Sequence, residues 1–149
     1  MTQSDYETEL LRILRDHGAA AGATLTALIA ALPPKAREIH FVVFPDQDGE
    51  GTFSVVASLE GPDLFVLNKA IEDHRYLFDV RHTEDGIEPQ VPLFASDEAG
   101  FNVQDVIVDT AMEWVAELWE TSGQGRSPLP ALVYGEEGYG TREPLALPA

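Results

Sequence analysis

The chain has 149 residues, 44% of them hydrophobic, enough to build one domain around an apolar core without cross-links. Cysteine is absent, which excludes disulfides, thiol catalysis and thiolate metal sites. Against 26 acids stand 9 bases, and the net charge of −17 has the wrong sign for a nucleic-acid binder or for an anionic membrane surface.

Ser4-Asp5-Tyr6-Glu7 reads as a capping box that opens a helix, with Tyr6, Leu10, Ile13, Leu14 and His17 on one face. Gly18 and Gly22 weaken its continuation, and Leu25, Leu28, Ile29 and Leu32 restore the spacing. One interrupted helix or a helical hairpin is therefore expected, ended by Pro33-Pro34. The apolar run 19–32 is shorter than the roughly 20 residues that span a bilayer. Residues 1–18 carry four acids against two arginines, unlike the basic start of a signal segment. A soluble, cytoplasmic protein is expected.

Residues 37–44 (REIHFVVF) and 52–59 (TFSVVASL) alternate as paired strands. Ile39, Phe41 and Val43 share one face of the first, and His40, Val42 and Phe44 share the other. The polar, glycine-bearing segment 45–51 joins them. Its acids Asp46, Asp48 and Glu50 resemble a calcium loop, but position twelve is Ala57 where the bidentate acid belongs, so a hairpin turn is expected. Residues 64–73 fit a short helix after Pro62, 76–82 a third strand, and 87–94, with Pro89 and Pro92, at most an edge strand.

Residues 101–123 form the principal helix, capped by Asn102, stapled by Phe101 and Val106, and ended by Gly123 in a left-handed turn. Val103, Val106, Ile107, Thr110, Ala111, Trp114, Val115, Leu118 and Trp119 define its buried face. Asp105, Asp109, Glu113 and Glu117 follow at steps of four on the opposite side, with Glu120 nearby and no Lys or Arg among them. Beyond lies a Pro/Gly-rich stretch that still carries Leu129, Leu132, Val133 and Tyr134. An arm lying on the domain is expected there, with a loose hairpin around 135–138. These elements predict an α+β fold, a small mainly antiparallel sheet packed on one side by helices. Residues 1–126 would be a single domain and 127–149 an extended C-terminal arm.

No catalytic, phosphate-binding or metal motif is present. Glu38 and His40, two apart on a strand, share a face and could serve a small enzyme or metal-dependent domain, but no third ligand is readable. His74 beside Asp73 and His82 near Glu84 are generic. Charge carries more information. No base occurs between Arg37 and Lys69, where six acids lie, or between Arg81 and Arg126, where ten lie. Such one-signed segments attract a basic protein partner.

A small, cysteine-free, acidic α+β chain is similar in type to bacterial immunity proteins, which neutralise a cognate, often basic, toxin. The similarity implies charge-complementary occlusion, with acids placed where a toxin's phosphate substrate would sit. The candidate contacts are Asp105, Asp109, Glu113, Glu117, Glu120, Asp46, Asp48 and Glu50, with Trp119 or Tyr134 as the aromatic anchor. No cofactor, metal, nucleic acid or membrane enters this expectation. A regulatory or structural module, its charge serving solubility and its arm self-association, is the remaining alternative.

Overall fold

Alternation along two neighbouring strands sets the two sides of the sheet. In the computed structural model, which describes residues 1–95 and 99–149, β1 (Glu38–Pro45) pairs antiparallel with β2 (Phe53–Glu60). Ile39, Phe41 and Val43 are fully buried on one face, and Glu38, His40, Val42 and Phe44 face the other way with partial exposure. A five-stranded sheet in the order β3-β2-β1-β6-β7 grows from this pair. β3 (Tyr76–Asp79) adds antiparallel to β2, with a bulge at Val55/Val56. The expected third strand is split after Asp79, and its second half becomes β4 (Arg81–Thr83), which pairs with β5 (Gly86–Glu88) as a separate ribbon.

Helices cover the Ile39 side. The N-terminal segment is two helices, α1 (Gln3–Asp16) and α2 (Gly18–Ala30), separated by His17 alone. The capping box lies two residues earlier than expected. The Thr2 hydroxyl accepts from Asp5 N–H, and the Asp5 carboxylate accepts from Thr2 N–H. Tyr6, Leu10 and Leu14 lie on the buried face of α1. The short helix α3 (Leu64–Ala70) docks on the end of β2.

The principal helix, α4 (Val103–Ser122), runs across the sheet and packs on α1, α2, β1 and β6. All nine residues of its expected face are buried, and Val108 and Met112 are buried besides. Residues 127–149 explain the wider burial. They are extended and form a loose hairpin, as expected, but they are woven into the sheet. β6 (Ala131–Gly135) lies parallel to β1 in the sheet interior, and β7 (Leu145–Leu147) closes the edge antiparallel to β6. The intervening backbone lies directly on α4: a Cβ on either Gly135 or Gly140 would fall 2.5 Å from Val108 Cγ1.

Gly123 is needed for a different reason than expected. Its φ of −119° is right-handed, so backbone freedom does not select it. A Cβ there would sit 2.4 Å from Trp119 Cε3, so only a hydrogen fits against the indole. Trp114 and Trp119 lie in the aromatic interior, their rings edge-on to Phe78 at 6.2 Å and Phe41 at 6.0 Å. No helix among the described residues is long and apolar enough to cross a membrane.

Candidate functional site

Half of the acids expected to meet a partner have internal work. Asp105 Oδ1 accepts from Gly140 N–H at 2.7 Å, and Asp109 accepts from both the N–H and the hydroxyl of Thr141. Glu117 pairs with Arg15 across the α1–α4 seam, Oε2 lying 3.1 Å from Nε. Asp46 receives the N–H groups of Glu50, Gly51 and Thr52 and the Thr52 hydroxyl, which builds the β1–β2 turn. Burial opposes ionisation of Asp46, but these bonds outweigh it and hold its carboxyl below the ordinary value. Trp119 is buried and donates Nε1–H to the Pro148 carbonyl, so it anchors the chain's own C-terminal segment. Glu113, Glu120, Asp48 and Glu50 remain exposed.

Tyr134 is brought together with residues from other strands on the open side of the sheet. The parallel register of β6 on β1 sets His40 opposite Leu132, one pleat from Tyr134, and the rings meet edge-on at 5.4 Å. The Tyr134 hydroxyl lies 2.8 Å from His40 Nδ1, and Glu38 Oε1 lies 3.1 Å from Nε2. A carboxylate only accepts, so Nε2 carries the hydrogen. Nδ1 of the neutral ring is then the acceptor, and Tyr134 donates to it. Glu60 completes the group: β1–β2 pairing places it directly opposite Glu38, its Oε1 3.6 Å from Nδ1. Burial first, then the charges of Glu60 and Glu38, push the Tyr134 phenol above its ordinary value and keep it protonated.

Around this cluster lie Val42, Val56 and Leu132, with Phe44 39% and Tyr76 50% exposed. None of the five strands contains a Lys or Arg. Glu38 and Glu60 therefore face each other with only His40, its side chain 16% exposed, between them. As placed, the two carboxylates sit at opposite ring nitrogens, so one metal ion could not take both together with the imidazole. Among the described residues no three His, Asp or Glu side chains converge as a metal site.

Glu60, Phe44 and Tyr76 were not singled out from the sequence. Alternation already put Phe44 on the His40 face, but Glu60 needed the exact hairpin register and Tyr76 needed the sheet order.

These features define a small α+β protein with one sheet face packed by helices and the other left open, acidic and partly aromatic. The chain belongs to a family of unknown function, DUF6389, whose model matches residues 1–149. No curated protein and no solved structure matches it.

Proposed function

We propose that this chain is an acidic protein-binding module that holds a basic protein against its open sheet face, and that it acts as an immunity-type inhibitor of a basic toxin, such as a nuclease, in the cytoplasm. The Glu38–Glu60 pair carries the proposal. Like charges directly opposite on neighbouring strands destabilise a sheet, and these strands carry no Lys or Arg to relieve them, only the His40 ring between the two carboxylates. A lysine or arginine from a partner would do so, entering between the two carboxylates with the Tyr134 and His40 rings beside it. Phe44 and Tyr76 supply flanking apolar area, and the −17 charge speeds the encounter. For a phosphate-cleaving toxin, the carboxylates would occupy the place of the substrate's phosphates.

The test uses the full chain as bait against extract of its native host, beside a Glu38→Lys/Glu60→Lys bait. The expected result is capture of a protein of positive net charge whose activity the wild-type chain inhibits and the double variant does not. Capture weakens as salt screens the contact. Equal capture by both baits, or a captured protein whose activity is unchanged, overturns the proposal.

One observation favours a second reading, an enzyme centred on Glu38 and His40. An imidazole oriented by a carboxylate and bonded to a hydroxyl is the arrangement of a general base with its nucleophile. The upward push on the Tyr134 phenol works against it, because an activated hydroxyl needs the opposite shift. Hydrolytic activity lost on both His40→Gln and Tyr134→Phe would reverse this preference.

A further inference from the structure

Carboxylates ordinarily titrate at roughly pH 4 and phenols at roughly pH 10, whereas an imidazole gains its charge between about pH 5 and pH 8. His40 is the imidazole of the open sheet face, set between Glu38 and Glu60. We infer that His40 is a proton switch for this surface: the neutral ring leaves both carboxylates to a basic partner, and the protonated ring releases the partner by neutralising them from within. The inference rests on the partner reading above and adds its regulation.

The ring can take up a proton without moving a strand. Nε2 already donates to Glu38 Oε1 at 3.1 Å, and Nδ1 accepts from the Tyr134 hydroxyl at 2.8 Å. A proton from solvent goes to Nδ1, the nitrogen that has none. Tyr134 then turns from donor to acceptor, and Glu60 Oε1, 3.6 Å from the same nitrogen, faces the new charge. Each ring nitrogen thus has an oxygen to donate to in the charged state. A side chain only 16% exposed needs that, because water alone cannot solvate it.

No fixed positive charge competes for the two carboxylates. Among the described residues neither Glu38 nor Glu60 has a Lys or Arg ion-pair partner, and Lys35 and Arg37, their neighbours in the chain, pair with neither. Ser58, opposite His40 on β2, and Leu132, opposite it on β6, are uncharged. Glu136 lies toward the other end of β1, its N–H on the Val43 carbonyl. Helix α4 packs on β1 from the Ile39 side, the reverse of this ring. Protonation therefore takes two carboxylates without a counter-charge and places an imidazolium between them, where the partner's lysine or arginine would lie. Proton and partner compete for the same charges, so each weakens the other by the same factor. Where they exclude each other fully, affinity falls by about tenfold for each pH unit once the ring is charged.

The test titrates the ¹⁵N-labelled full chain with a capped Arg-Gly-Lys-Gly-Arg peptide at about pH 7.5 and about pH 5.5, on either side of ordinary imidazole charging. The expected result at the higher pH is saturable amide shifts at residues 38–42, 58–60 and 132–134 that Glu38→Gln/Glu60→Gln abolishes. At the lower pH the wild-type affinity is about tenfold or more weaker. In His40→Gln the ratio between the two pH values shrinks to about threefold or less. A second arm needs no substitution: saturating peptide lowers the midpoint of the His40 Cε1–H titration in the wild-type chain by about one pH unit or more. Absence of the localised shifts at the higher pH removes the basic-partner reading and the switch with it. Localised binding of equal affinity at both pH values, an unmoved midpoint, or the same loss in His40→Gln overturns the switch alone and leaves the partner reading standing.

Discussion

Asp109 holds Thr141 twice: Oδ1 accepts its backbone N–H at 2.9 Å and Oδ2 its hydroxyl at 2.6 Å. One turn earlier, Asp105 takes the N–H of Gly140. Two acids that look in the sequence like a surface for another protein are thus ligands for the chain's own backbone, and they clamp the connection between β6 and β7 to α4.

The stripe should therefore split by mutation. Asp109→Ala removes two hydrogen bonds at a half-buried site and should cost about 1–3 kcal/mol in urea unfolding. Amide exchange at 140–147 should rise with it. Glu113→Ala, one turn on and exposed, should stay within about 0.5 kcal/mol of wild type. Equal effects at the two positions would show that the clamp does not carry the C-terminal strands.

Tyr6 is fully buried and its hydroxyl has no hydrogen-bond partner among the described residues. Tyr6→Phe should be neutral to about 1 kcal/mol stabilising at pH 7, because no bond is lost and a desolvated polar group is removed. Burial first, then the nearby Asp46 charge, push the phenol well above its ordinary value. The unfolded tyrosine titrates near pH 10, roughly, and above that it holds fewer protons than the folded one. Wild-type stability is accordingly full below that pH and falls above it, by up to about 1.4 kcal/mol per unit from this group. Tyr6→Phe should flatten that decline in denaturant titrations between pH 9 and pH 11, roughly the range in which tyrosine titrates. An unchanged slope would mean that the hydroxyl is hydrated.

Glu60→Gln should raise stability, an unusual direction for a point substitution. Removing one of two like charges set opposite each other is worth about 0.2–1 kcal/mol, nearer the lower figure because both side chains are more than a third exposed. The gain should shrink in high salt. A loss of stability instead would show that Glu60 is already compensated within the fold, and the proposed partner surface would lose its charge argument.

Local patterns decided a good deal of this protein before any coordinates. Alternation assigned Ile39, Phe41 and Val43 to the interior, and helical spacing picked all nine buried residues of the main face of α4, because both signals depend only on which side of one element faces the interior. Glu38 and His40 were legible as sharing a face, and Tyr134 as a half-apolar aromatic. What pairs with what was not legible. Closing the hairpin on residues 44 and 52 would set Glu38 opposite Ser58, whereas the actual register, 45 on 53, sets it opposite Glu60. Likewise, nothing local says that 131–135 enters the sheet beside β1, since a parallel neighbour is chosen by packing across a long stretch of chain. That placement draws Asp105 and Asp109 inward onto residues 140 and 141 and delivers Tyr134 to His40. Composition alone determined an acidic domain with an apolar interior. Which carboxylates stay free to meet another molecule was decided only in three dimensions, where each charge either finds a donor in its own chain or is left facing solvent.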